Sequence, residues 1–547
     1  MGEHHVLCLG GTGAKFGEAL IHLTACGLSK GSLKIHIIDQ DLNNKNVNAL
    51  RTLAESASGA KRIFPNSGKE NFPYFRTDIQ VGPPYALIKH GQVQFKDIYT
   101  NSDGINNIKS FPSDIILRSL FSKKSQEQEL AIGFNASAQI GAAVFDQELN
   151  LNANGLGKHL SDILRQADQS RNGSDDRVSV TLLGSAFGGT GSSGLPMISQ
   201  FIRDYIRDES LRIRLNAVVA TNYFRISDVN TEFGPRGAYS TSLGLRHLMY
   251  LDGWYRQTKQ CCLWDSLYLV GQSREAGFPP DGSGGGPDQH NIPHGVELIG
   301  GLAACAASLE DEDPDVTNET LRLALHEHSD RIEWDDIPNV SDDLDTATAI
   351  QTFAMWLVLI QRLIFPMLQA QEDGVQANYA PLNRHFRGRD FDQSEVQAVS
   401  TYADRFFSWI VSMEKSHNEW MSSDEPSIGN GLRWSLLGLH RFFRPTGTLL
   451  NQVSVEKEML RSTVTKDNDG AFDDCFVRWQ KDLLSIKDSA SADKLSLAIR
   501  MLQRDDNSNV MLDVLAKLGT LPPVAREHRR GVNSLGIKLW QAIQRRT

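Results

Sequence analysis

The sequence predicts an α/β fold built on a parallel sheet, of the Rossmann type, followed by a mostly α-helical C-terminal domain. Three observations carry this. Short apolar runs alternate with helix-patterned segments over the first ~300 residues. Two glycine-rich turns, far apart in the chain, each follow an apolar run and each lead into a helix-patterned segment. From about Asp345 onward the apolar spacing is helical, with no strand series.

The first strand is expected over Val6–Leu9, a run of the kind buried in a parallel sheet. The turn Gly10-Gly11-Thr12-Gly13-Ala14-Lys15-Phe16-Gly17 follows, with a helix over Gly17–Cys26. Leu33–Ile38 is the second strand and ends in Asp39-Gln40-Asp41. From Gln40 to Arg177 the chain is long, polar in places and less regular, and reads as an insertion. Val178–Leu183 is the next strand. The second turn, Gly188-Gly189-Thr190-Gly191-Ser192-Ser193-Gly194, leads from it into a helix over Leu195–Arg207. Ile213–Ala220 and Ser266–Val270 are further strands, with a helix over Ser242–Leu251 between them. Pro279 to Pro287, rich in glycine, is an exposed loop. Val296 to Ala304 reads as a buried helix whose small residues let neighbouring backbones come close. The acidic stretch Glu310-Asp311-Glu312-Asp313-Pro314-Asp315 ends it. Helices are then expected at Ile350–Leu368, Val396–Met413 and Leu432–Phe443. The expected domains are a nucleotide-binding domain over 1–310, an acidic connector over 311–344 and a helical domain over 345–547.

Composition narrows the function classes. The chain has 547 residues, 40% hydrophobic and 22% charged, which suits a globular protein of two or three domains. A formal net charge of −10 disfavours broad nucleic-acid binding, so no direct nucleic-acid partner is expected. Six cysteines, none in a C-x-x-C pair, read as buried thiols rather than disulfides or zinc ligands. The start, Met1-Gly2-Glu3-His4-His5, lacks the basic region of a signal peptide, and Val6 stands where a myristoylation motif requires Ser or Thr. The most apolar long stretch, Phe353 to Phe365, is too short to span a bilayer. A cytoplasmic protein without membrane insertion is expected.

The turns carry the chemistry. Glycines let backbone N–H groups approach an anion, and a helix N-terminus adds its partial positive charge. Two such turns suggest one polyphosphate held from two sides, hence a nucleotide; tight turns without a ligand are the alternative. A side chain on Gly189 or Gly191 is expected to enter phosphate space. Neither turn is a Walker A motif, and a G-x-G-x-x-G reading from Gly11 and Gly13 puts Phe16 at the third glycine. His326-Glu327-His328, in helical-looking surroundings, reads as a surface cluster, and Asp335-Asp336 as a turn. No metal-ligand set is expected from side chains alone.

The spacing Gly10-x-x-Gly13-x-x-x-Gly17 and the later Gly188-Gly189-Thr190-Gly191-Ser192, with Pro196 after it, resemble the tubulin/FtsZ superfamily. Phe187 and Ser193 replace glycines of the family signature, which suggests a remote, prokaryotic tubulin-like branch. The resemblance covers roughly the first 310 residues. It implies a phosphate site on Gly10, Gly11, Thr12, Gly13, Lys15, Gly17, Gly188, Gly189, Thr190, Gly191 and Ser192. Asp39 and Asp41 would stand near magnesium. Gly133 to Gly141 is similar to the loop on the terminal phosphate, and Thr221-Asn222-Tyr223-Phe224 to the sugar-side loop. Asn291, with His294 as rival, would contact guanine.

The implied ligands are GTP and Mg2+, and the implied partner is a second copy, joined head to tail into filaments. Asp311 and Asp313, roughly 20 residues or about 30 Å of helix past Asn291, would orient water on a neighbour's terminal phosphate. The family's Asn-x-Asp pattern is absent there, and a solvated acidic helix end is the other reading. Two further readings stay open. One is a non-hydrolysing, nucleotide-dependent scaffold that recruits a protein partner through the helical domain. The other is an NAD(P)-dependent oxidoreductase, because Tyr255-x-x-x-Lys259 with Ser242 upstream resembles short-chain dehydrogenases.

Overall fold

The computed structural model describes residues 3–29, 31–65, 72–88, 93–100, 113–130, 133–134, 137–149, 155–170, 178–221, 223–225, 241–272, 276–277, 293–309, 320–326, 337–340, 345–365, 392–422, 517–518, 520–522 and 531–544. The strands are β1 (Glu3–Leu9), β2 (Ser32–Ile38), β3 (Asp78–Val81), β4 (Val178–Ser185), β5 (Ile213–Ala220), β6 (Phe224–Arg225), β7 (Ser266–Gln272), β8 (Ala276–Gly277) and β9 (Thr320–His326). Seven of them form one sheet in the order β3-β2-β1-β4-β5-β7-β9, with every pairing parallel. β6 and β8 make a separate short parallel pair.

Parallel sheets need cover on both faces, which is why their strands read as near-continuous apolar runs. Here Val6 and Cys8 of β1 face one layer, and Leu7 and Leu9 face the other. The first layer holds α1 (Gly10–Ala25), α2 (Lys45–Ile63) and, much later in the chain, the helix Gly295–Leu309. Between them come α3 (Phe95–Thr100), α4 (Ser113–Leu120), α5 (Lys123–Gln126), α6 (Ala138–Glu148), α7 (Leu156–Gln169), α8 (Thr190–Asp208) and α9 (Thr241–Thr258). The helix Gly295–Leu309 is therefore α10. Helices α6 to α9 cover the second face. The remaining described helices are α11 (Thr346–Val358), continued by a π-helical turn over Leu359–Ile364, α12 (Gln393–Ser422) and α13 (Gly531–Gln544).

Both glycine turns are shorter than expected. α1 starts at Gly10 rather than Gly17, and α8 at Thr190 rather than Leu195. Glycine disfavours helix, but close packing on the strands overrides propensity. The segment read as an insertion contains a regular helix, α2, whose N-cap Asn44 accepts from Asn46 N at 2.8 Å.

The expected small-residue contact of α10 is present. A Cβ on Gly301 would lie 2.9 Å from the Ala19 Cβ of α1. α10 then returns the chain to β9, so the sheet extends past residue 310 into the segment expected as a connector. His326 ends a strand, not a helix; Glu327 and His328 lie outside the described residues.

α11, α12 and α13 have no separate core among the described residues. Phe353, Trp356, Tyr402, Phe406 and Leu535 join the layer of α1 and α2. Trp356 meets Phe64 edge-on and Phe72 and Tyr74 at a tilt, and its Nε1 donates to Gly536 O at 2.9 Å. The expected helix Leu432–Phe443 lies outside the described residues. The five described cysteines are buried thiols, with no disulfide among them. No described helix is long and apolar enough to cross a membrane.

Candidate functional site

β1 and β4 are neighbours, yet the chain leaves β1 toward β2 and leaves β4 toward β5. Such a reversal of strand order opens a crevice at the carboxyl ends of the strands, the usual ligand position in open α/β sheets. Both glycine turns stand there. They touch: a Cβ on Gly10 would lie 3.1 Å from Thr190 Cβ and 3.6 Å from Gly191 N. Neither α1 nor α8 has a side-chain N-cap or an acidic residue in its first turn. The first N–H groups of a helix have no partner within it, so two positive helix ends meet at one crevice.

The glycines divide by physical cause. Gly10 and Gly188 have φ of 68° and 84°, a left-handed conformation that favours glycine. At Gly188 an added Cβ would meet nothing nearer than Ser185 Oγ at 3.9 Å, so conformation alone requires it. Gly13, Gly17 and Gly191 serve packing. Their added Cβ atoms would lie 2.5 Å from Leu183 O, 2.8 Å from Cys8 Sγ and 2.9 Å from Ser185 N. The expected phosphate clash of a side chain at Gly191 is thus corrected: that side chain would strike the end of β4. Gly11 and Gly189 are half-buried in the turns themselves.

Asp39, just past β2, reaches the second turn. Thr190 Oγ1 donates to Asp39 Oδ1 at 3.2 Å, and Asp41 N donates to the same oxygen at 3.4 Å. Both acids are buried. Burial, with the Asp41 carboxylate adding to it, pushes the Asp39 carboxyl up to about 7. A cation beside it would restore its charge. Among the described residues, no three His, Cys, Asp or Glu side chains converge to hold a metal ion. Magnesium at Asp39 and Asp41 would therefore need phosphate oxygens as well, which is its habit in nucleotide sites.

The expected hydroxyl donors are engaged within the protein. Ser192 Oγ donates to Gly188 O in the turn before its helix, and Thr12 hydrogen-bonds the Tyr223 phenol. Lys15 points inward and pairs with Glu297 of α10, both nearly fully buried. Glu297 also accepts from Tyr223 Oη at 3.0 Å and from His294 N at 3.1 Å. His294 Nδ1 accepts from Val296 N at 3.1 Å, so His294 and Glu297 form a capping box at the start of α10. Burial raises the Glu297 carboxyl, against the pull of Lys15. Partly buried Glu18, one turn along α1, is held up at about 7 by burial and by Glu297.

This network was not expected from sequence. Its one legible trace is that Glu297 is the sole acid in an apolar helical run. Phe187, which departs from the family signature, is buried against Tyr223 with ring centroids 6.1 Å apart.

Other candidates are not brought together. Asn291, Asp311, Asp313, Asp335 and Asp336 lie outside the described residues. The residues that bracket the acidic run are informative. α10 starts beside Tyr223, at the carboxyl edge of the sheet, and near its end Asn216 Nδ2 donates to Ala307 O at 3.5 Å. Thr320 pairs with Ser266 at the start of β7. Leu309 and Thr320 therefore stand at the edge opposite the glycine turns. The Tyr255-x-x-x-Lys259 pair is structural: Tyr255 Oη donates to Gln200 O at 3.3 Å, while Lys259 lies over the Trp254 ring. Burial raises the Tyr255 phenol, the wrong direction for a catalytic base.

Compared with known protein families and with curated proteins, the chain matches none.

Proposed function

We propose that the crevice between β1 and β4 binds the phosphates of a nucleoside triphosphate with magnesium. The observation that carries this reading is the meeting of two uncapped helix N-termini at one strand-order reversal, with Gly10 against Thr190 and Asp39 beside them. Backbone amides of Gly11, Thr12, Gly189 and Thr190 hold the phosphates. Thr190 and Asp39 position magnesium, which screens phosphate charge.

The tubulin/FtsZ-like spacing of the turns makes the ligand GTP and the protein a self-assembling GTPase. Head-to-tail assembly is supported by the polarity of the chain. Leu309 and Thr320 stand at one edge of the sheet and the crevice at the other, so a copy stacked end on end sets that edge against a crevice.

The test is thermal unfolding with magnesium and GTP, ATP or NADH, beside phosphate release across a protein concentration series. GTP raises the midpoint by mass action. Turnover per subunit rises with concentration. Stabilisation by NADH instead of GTP ends the nucleoside triphosphate reading. GTP binding without phosphate release leaves a non-hydrolysing scaffold, and turnover that stays flat with concentration ends the shared-site reading.

A further inference from the structure

Six large hydrophobic side chains among the described residues stand strongly exposed, and four of them, Leu243, Met249, Tyr250 and Trp254, belong to α9. The opposite side of that helix is ordinary core: Leu248, Leu251 and Tyr255 pack into the layer with α8. Leu243, Tyr250 and Trp254 follow one another at i, i+7 and i+11, which lines them up on the outer face over about 16 Å. Met249 and Tyr250 are 72% and 70% exposed, values foreign to side chains with a role in the core.

Over 241–260, Arg256 pairs with Asp252, and the other charged side chains are cations. Arg246 is exposed on α9, and Lys259, exposed just past its end, places Nζ 5.8 Å from the Trp254 ring centroid. The one acid of the helix, Asp252, is turned to the inner rim, where it accepts from Arg256 Nε and Leu263 N. His247 is held neutral by partial burial and adds no charge. An apolar line with cations beside it, on a chain whose net charge is −10, is a local exception to the rest of the molecule.

A second copy of α9 on this face would set cation against cation, so self-pairing is disfavoured. A bilayer carrying negative headgroups meets both requirements at once. Leu243, Met249 and Tyr250 reach the acyl boundary, Trp254 sits at headgroup depth, and Arg246 and Lys259 take the phosphates.

We propose that α9 is a peripheral docking surface for anionic lipid bilayers, on which it lies flat without crossing. The start of α9 packs on Ala186, directly before the second glycine turn, so this face adjoins the crevice but uses none of the residues assigned to phosphate.

The test uses the full chain with vesicles of phosphatidylcholine and phosphatidylglycerol, and with phosphatidylcholine alone, in a sedimentation assay without nucleotide. The protein is expected to pellet with the anionic vesicles, to stay in solution with the neutral ones, and to be released by salt. Arg246→Glu and Tyr250→Asp each weaken binding by at least ~10-fold while leaving urea midpoints unchanged, since both side chains face solvent. Wild-type protein that stays in solution with anionic vesicles overturns the proposal. So does equal pelleting with both vesicle types, or variants that pellet like wild type. Pelleting that needs no vesicles and is lost in Tyr250→Asp assigns the face to protein contacts instead.

Discussion

The two glycine turns meet at the same crevice but are anchored in opposite ways. Behind the first, α1 sends Thr12, Lys15 and Glu18 inward to a buried network on α10. Behind the second, α8 folds its serines back onto the turn: Ser192 donates to Gly188 O, and Ser193 Oγ to Gly189 O at 2.6 Å. The first turn is held by a buried ion pair to a distant helix, the second by its own serines, by Ser185 and by the hydrogen bond of Thr190 to Asp39. Similar glycine patterns thus hide different dependencies, and substitutions behind the two turns separate them.

The largest effect is expected at Gly13. Any Cβ there meets the Leu183 carbonyl and the Cys8 backbone, neither of which can yield. Gly13→Val is expected to cost ~3 kcal/mol or more and to abolish soluble folded protein. Expression yield and urea unfolding read this directly. A folded Gly13→Val protein would break the assignment of that glycine to packing.

Next comes Glu297. Glu297→Leu strands the Lys15 ammonium in the interior and is expected to cost about 3–5 kcal/mol. Adding Lys15→Met should recover most of the loss, because the stranded charge is then gone. The matching change behind the second turn, Ser192→Ala, should move the urea midpoint by no more than about 0.5 kcal/mol. Equal losses at Glu297 and Ser192 would erase the distinction between the turns.

Acid separates the anchors further. Burial holds His22 on α1, and His4 and His36 on the sheet, down at about 3. Their folded values lie below the unfolded one, so stability is intact above pH ~6.5 and declines as pH falls toward ~3. Each contributes up to ~1.4 kcal/mol per pH unit across that window. Urea midpoints at pH 7, 6 and 5 should fall, and a His22→Gln variant should fall less steeply. Asp39 has the opposite sign. Its folded value is raised to about 7, so its contribution is full below the unfolded value of 3.8 and is lost as pH rises through 7. Asp39→Asn should therefore stabilise the ligand-free protein above pH 7.

Moderate effects on stability lie at the crevice itself. Gly188→Ala, strained only by φ, should cost about 1–2 kcal/mol, and Thr12→Val about 1 kcal/mol. Both should weaken GTP stabilisation more than they weaken the fold. Unchanged GTP affinity in Gly188→Ala would show the second turn to be structural.

The sheet was legible because a strand covered on both faces must be apolar throughout, and Val6–Leu9, Val178–Leu183 and Ile213–Ala220 are. The crevice was legible for the same local reason: glycines directly after such strands leave helix ends open. β9 and the helical course of Gly10–Gly17 were not, since glycine propensity points away from helix and only contact with Cys8 and Leu183 decides otherwise. The pairing of Lys15 with Glu297, 282 positions apart by the numbering, rests on two helices being pressed together by Gly300 and Gly301. Local pattern by itself determined the strand series, the two turns and the buried thiols. Only the tertiary structure decided which glycines make room for a backbone and which bend one, because that depends on what lies opposite the missing Cβ.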